Sequence, residues 1–516
     1  MANRLTRWLL AQRSSPRLAF LLQIWCRVLT ALCSLVWIPL LLGSMGKALN
    51  GLWLSFQSIA SMGGLGDLGM GGLVNIQTSR MLGQGKEAEL RKFLAAARGF
   101  FGIVALAAAG IFLAVSPSLL RWQKFEDFPQ ASPLAGLYLI GAVAIGLVIL
   151  NSYITNLNYG CGNIVWPVLP GFILLQLGFL AHWLIARQGL PLWVQCTPYA
   201  GAALLTHTLN WWWIRLSHPP LGTLRPVTVD WRQFLSLAGK SFWVYLYCLG
   251  AGVTTTISGV LITARFGPDL LPTYRYNGKL CELATFVLAS ASLVSLPKIT
   301  QWLASPEPAT RQRALREAQR LNQFQTLLGC SAALVYLGLN DWFIGVWLGQ
   351  SLQAPLSWQA AFAANLAITG AGQLGFDLAA RCCDQGMRVG GITVALTSLL
   401  NLGLSLVAMK FGSVFSIALA GVISVSAAHL GLGWYSCRQI TMSWWRLSLR
   451  NWLLALAVTA LAVTMRILLP VHSAFAAAVN MVVFLATTLA VAFLIGIRMN
   501  DLREEFAILR GMFGKR

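Results

Sequence analysis

Long apolar stretches alternate with short polar connectors along this chain, and the stretches are longer and more continuous than the half-buried faces of a water-soluble core. A helix that crosses a bilayer needs roughly 20 mainly apolar residues, because every backbone N–H and C=O must find its partner inside the segment. On that measure the pattern predicts about fourteen crossings, over residues 20–42, 50–79, 93–117, 134–157, 163–186, 194–216, 238–263, 271–297, 320–339, 357–380, 388–410, 413–436, 451–469 and 473–497. The first stretch is too long for the apolar part of a signal peptide, and bulky Leu32 precedes Cys33 where cleavage needs a small residue, so it is expected to stay. Residues 1–19 and the tail "NDLREEFAILRGMFGKR" predict surface helices with basic faces toward anionic lipid.

The pattern echoes itself. Span six ends in "LNWWWIRL" and span twelve in "LGWYSCRQI", which sets Arg215 and Arg438 223 residues apart. Trp122 after span three matches Trp347 after span nine at 225, and the turns "NYGCGN" (158–163) and "CCDQGM" (382–387) match at 224. Each copy holds six spans, an even number, so both copies point the same way across the membrane and form parallel repeats. The expected architecture is an all-α polytopic membrane protein: residues 1–19 an amphipathic segment, 20–226 an N-lobe, 227–440 a C-lobe, and 441–516 two further helices and a tail. Such pseudo-symmetry is the build of an alternating-access transporter, with its substrate site between the lobes.

Charge orients the spans. With the N-terminus inside, 27 of the 38 Lys and Arg residues fall on the cytoplasmic side and seven outside, Arg466 among these, so both termini are expected in the cytoplasm. The clusters "NWWWIR" (210–215) and "SWWR" (443–446) fall at inner interfaces, where amphipathic rings anchor.

Composition then excludes whole classes. At 57% hydrophobic, 10% charged and a mean hydropathy of +0.67, the chain has too much apolar surface for a soluble protein. Its net charge of +22 is spread over the connectors in no single patch, which argues against nucleic acid as a partner. The ten cysteines sit mostly in apolar runs without zinc-like spacing, so no metal or cofactor is expected.

"NGLWLSFQSIASMGGLGDLGMGGLVNIQTSRMLGQG" (50–85) resembles the second helix and following loop of the polysaccharide transporters of the multidrug/oligosaccharidyl-lipid/polysaccharide exporter superfamily, in which a "YGLW" start, a "DLGLG" core and an "SR-LG-G" end recur. "RFGPDLLPTYRYNGKLCELATFVLASASLVSLPKITQWLAS" (265–305) is similar to the family's eighth helix and "FGSVFSIALAGVISV" (411–425) to its twelfth. The resemblance runs from Leu18 to Ile440 and leaves the two extra helices outside it. It implies a flippase, found in the bacterial cytoplasmic membrane, that moves undecaprenyl-pyrophosphate-linked oligosaccharide, such as an O-antigen repeat unit, from the inner to the outer leaflet, with membrane lipid, H+ or Na+ and polysaccharide polymerase machinery as partners. Peptidoglycan-precursor flippases and ion-coupled multidrug antiporters are the related alternatives.

Four cations (Arg27, Arg98, Arg275, Lys279) and three acids (Asp67, Glu282, Asp377) fall inside the expected spans. Facing lipid, such a residue at a helix centre costs about 2.5–3.5 kcal/mol or more, so these groups are expected to face a wet cavity or one another. Arg275, Lys279 and Glu282 follow at i, i+4 and i+7, a stripe roughly 10 Å long on span eight. Arg and Lys in a low-dielectric cavity match a pyrophosphate, which makes the four cations candidate substrate ligands. The alternative is internal pairing, Arg27 with Asp67 or Lys279 with Glu282. Asp67, Glu282 and Asp377 are candidates for ion coupling, and the six glycines at 63, 64, 66, 69, 71 and 72 allow a close helix neighbour or a bend. No GxxxxGK[ST] motif offers an ATP site, and the longest outer connector, 118–133, holds only Arg121, Lys124, Glu126 and Asp127, so an enzyme is not expected.

Overall fold

A computed structural model describes residues 16–62, 67, 69–163, 165–222, 231–303, 305, 307–383, 385–468, 482–484, 486–488 and 490. Among the described residues the chain is helical and has no strand, and nine of these helices are long and apolar enough to cross a membrane. Most of the expected fourteenth span, the N-terminal amphipathic segment up to residue 15 and the tail lie outside the described residues.

Several helix turns and ends fall at glycine. α1 (Pro16–Ser61) holds the first expected span and the start of the second, turning at Gly46 with φ 74°, a backbone state that costs glycine nothing. The second expected span is not one helix: α1 stops at Ser61 and α2 (Met70–Gly83) restarts behind Gly69, φ 71°. α3 (Glu87–Trp122), α4 (Leu134–Gly160), α5 (Val168–Ala186), α6 (Leu192–Ser217) and α7 (Trp231–Phe266) follow. The expected span eight is divided at Gly278 into α8 (Leu270–Asn277) and α9 (Lys279–Leu303). Then come α10 (Pro308–Trp347), α11 (Leu356–Cys382), α12 (Gly386–Ala408), α13 (Val414–Ile440) and α14 (Arg450–Leu468), the first of the two extra helices.

Two compact units divide the chain, residues 1–272 and 273–516. In the first, α4 is central: it packs on α3, α2 and α6, while α6 also holds α5, and α7 lies against α1, α2 and α3. The second unit repeats those pairings in order, α11 taking the place of α4 between α10, α9 and α13, with α13 holding α12. The repeat reaches the side chains as well. The Arg215 guanidinium sits 6.0 Å from the Trp211 ring centroid and Arg438 sits 5.7 Å from Trp434, two i, i+4 pairs at the same offset of 223.

α14 belongs to the second unit. Its small residues Ala455, Val458 and Ala462 enter a core with Cys330, Ala333 and Leu337 of α10 and Ala363, Ala367 and Ala371 of α11. Phe484 closes the same core, and a Cβ at Gly338 would overlap its ring.

Candidate functional site

Arg27 is exposed on α1. The exposed apolar residues Trp25, Val28, Leu29, Leu32 and Val36 lie on the same helix. At 3.6 residues per turn they fall about 100–180° around the axis from Arg27, Val28 nearest to it.

The gap between α1 and α2 is organised by Asp67. Its Oδ1 accepts the Gly71 N–H at 2.6 Å and its Oδ2 accepts the Ser152 hydroxyl of α4 at 2.8 Å. A carboxylate there satisfies a donor that the first turn of α2 leaves open and meets the positive end of the helix dipole. Asn156 lies one turn along α4, its Nδ2 donating to Ser152 O at 2.9 Å. Gly71 makes the cluster fit: a Cβ there would come within 2.5 Å of Asn156 Nδ2 and 2.8 Å of Asp67 Oδ2 and Ser152 Oγ. Arg98 is half-buried on α3, three residues before Phe101, whose ring meets that of Tyr153 of α4 at 5.4 Å.

In the second unit the short helix α8 carries Arg275 and is anchored two residues later. Asn277 Nδ2 donates to Leu352 O at 2.7 Å, and its Oδ1 accepts from Asn340 Nδ2 of α10 at 2.8 Å. Gly278 ends α8, so the expected stripe runs across a break, with Arg275 on one helix and Lys279 opening the next. Lys279 Nζ donates to Glu282 Oε2 at 2.6 Å, their side chains 30% and 51% exposed. That is the internal pairing the sequence left open. Asp377 is half-buried on α11, next to Phe376, whose ring meets His429 of α13 at 5.5 Å.

The structure thus joins Asp67 to Ser152 and Gly71, and Lys279 to Glu282. Arg27, Arg98 and Asp67 lie in the first unit, and Arg275, Lys279, Glu282 and Asp377 in the second.

Sequence reasoning missed a buried ion pair. Arg466, expected in an outer connector, lies within α14 with a 7% exposed side chain and pairs with Asp341 near the end of α10. Gln359 of α11 donates to the same carboxylate. The two partners stand 125 residues apart, and the only signal was two opposite charges, each alone in an apolar neighbourhood.

Comparison of the sequence with protein-family profiles and with curated proteins finds no match. Solved structures do match. "Lipid II flippase MurJ, inward closed conformation" aligns over 92% of this chain and 98% of its own, at 14% identity and a TM-score of 0.65. An outward-facing multidrug resistance MATE family transporter of the MOP superfamily aligns over 84% of this chain and 95% of its own, at 12% identity and a TM-score of 0.50. The chain has the helical fold of these transporters.

Proposed function

We propose that this protein is a flippase for oligosaccharide linked to undecaprenyl pyrophosphate, moving it from the inner to the outer leaflet of a bacterial cytoplasmic membrane by alternating access, with both termini cytoplasmic. The reading is supported by Arg27, an exposed guanidinium on α1 set about 140–180° around the helix from exposed Trp25, Leu29, Leu32 and Val36 and about 100° from exposed Val28, in a chain that shares its fold with a lipid II flippase. A fork of N–H donors in a low-dielectric site grips adjoining phosphates in two-pronged fashion. Arg98 and Arg275 are the further ligands. Lys279 joins them by exchanging Glu282 for phosphate. The exchange costs little, because partly exposed ion pairs are worth only about 0–1 kcal/mol.

Asp67, placed against Ser152, is the first candidate for coupling to H+ or Na+, with Glu282 and Asp377 as the others. Fold likeness to the MATE transporter supports a second reading, an ion-coupled drug antiporter. Depletion of the protein separates the two. A flippase leaves lipid-linked oligosaccharide accumulating on the inner leaflet, and an antiporter leaves cells sensitised to drugs with lipid intermediates unchanged. Accumulation of the peptidoglycan precursor in place of a polysaccharide intermediate marks the peptidoglycan branch. In the same cells Arg27→Ala should fail to restore transport at normal expression, and Arg27→Lys should restore part of it. Full activity of Arg27→Ala removes the proposed grip.

A further inference from the structure

We infer that the first unit carries a pocket for a neutral sugar at the end where the α1 turn, the α3–α4 connector and the α5–α6 connector meet. These segments line a half-open cleft of about 440 Å³, within the range of about 300–1,000 Å³ that small-ligand sites occupy. None of its lining residues carries an ionisable side chain.

Ser44, Gln130 and Gln195 supply hydroxyl and amide groups, and Leu49, Phe128 and Leu190 supply apolar surface. Gln195 is fixed from behind. Its Nε2 donates to Leu190 O at 2.7 Å, and its Oε1 lies 3.3 Å from His182 Nε2. His182 in turn is held by Tyr199 at 2.8 Å and lies against Trp53, ring centroids 5.0 Å apart. A primary amide has two N–H donors and two acceptor lone pairs, so Gln195 keeps hydrogen-bonding capacity beyond these contacts. Ser44 donates to Leu40 O and Leu41 O at 2.9 and 3.0 Å, which leaves its oxygen able to accept.

That wall fits one ligand chemistry. A phosphate would find no cation among the lining residues. An acyl chain would offer no partner to the spare capacity of Gln195, to the Ser44 oxygen or to the Gln130 amide at the rim, which a polar ligand would satisfy. A sugar ring presents hydroxyls around its perimeter and C–H groups on its faces, which matches a rim of amide and hydroxyl beside an aromatic and two leucines.

The three connectors are among those expected on the outer side, and their basic residues, Lys47, Arg121, Lys124 and Arg187, are not among the residues that line the cleft. This inference deepens the flippase reading and rests on it for its biological role: the pocket takes a sugar of the delivered head group at the outer leaflet, while the cations hold the pyrophosphate.

The test uses the purified full chain in lipid nanodiscs, with N-acetylglucosamine, rhamnose, mannose and their disaccharides as probes and inorganic phosphate as a control. Ligand-detected NMR should show saturable binding of at least one saccharide and none of phosphate. Ala48→Trp, which fills the cavity, should weaken that binding by about tenfold or more, equivalent to about 1.4 kcal/mol. Gln130→Ala, at the exposed rim, should weaken it severalfold with an unchanged melting temperature. Absence of saccharide binding, binding unaltered by both variants, or phosphate competing at the pocket overturns the inference. Saccharide binding that responds to the variants, in a protein that fails to flip lipid-linked oligosaccharide, upholds the pocket and removes the flippase reading. Flipping without saccharide binding does the reverse.

Discussion

Both oxygens of Asp67 are engaged, one by the first turn of α2 and one by α4, so this carboxylate joins two helices before it does anything else. The two roles separate by substitution. Asp67→Asn keeps an acceptor for the Gly71 N–H and should leave the melting temperature near that of the parent while abolishing any proton or sodium dependence of transport. Asp67→Ala removes the cap as well and should cost about 1 kcal/mol or more of stability. An unchanged ion response in Asp67→Asn would leave the residue its structural role alone. Glu282 is the residue-scale counterpart in the second unit. Glu282→Gln releases Lys279 from its partner and should strengthen binding of a pyrophosphate lipid analogue, whereas Lys279→Ala should weaken it; equal affinity in both variants would detach the pair from substrate. The sequence marked these charges because an isolated charge in an apolar span needs a reason. It did not mark Ser152 or Asn156, since neutral polar residues are ordinary in membrane helices and only the fold brings them to Asp67.

At the scale of elements, apolar runs gave the helices and glycine gave their interruptions only in part. The six-glycine run suggested a bend, and α1 ends ahead of it at Ser61 while α2 begins within it at Met70, whereas single glycines at 46 and 278 carry no comparable signal, and both mark helix turns or ends. Docking of α14 was not legible at all. An 18-residue apolar window looks the same whether lipid or protein surrounds it, and only the Asp341–Arg466 pair and the alanine-lined core reveal that protein does. Breaking a buried ion pair leaves one charge stranded. Asp341→Asn should therefore destabilise the second unit by about 3–5 kcal/mol, and the double replacement Asp341→Leu with Arg466→Met should recover most of that loss. Thermal melts in detergent measure both. A double variant no better than the single one would show that α14 is held by its alanine face and not by charge.

For the whole molecule, the repeat was legible because it is written in motifs at offsets of 223 to 225 residues, and helix pairings recur in the two units in the same order. The packing of α7 against α1, α2 and α3 within the first unit was not, because nothing local to residues 231–266 encodes a neighbour that distant. Orientation in the membrane is a property of the entire chain, and the expected topology would place 27 of the 38 basic residues in the cytoplasm. A cysteine-free background with single replacements reads it directly. Gln188→Cys, on the α5–α6 connector beside the pocket, should react with an impermeant thiol reagent in intact cells, and Gln312→Cys, in the basic stretch that opens α10, should react only after the membrane is opened. The result bears on more than topology. Labelling in the opposite sense would put the neutral pocket on the side where the lipid-linked substrate is made, turning it from a receiving site for the sugar into a loading site, and would require flipping to start from the end of the molecule poorest in cations.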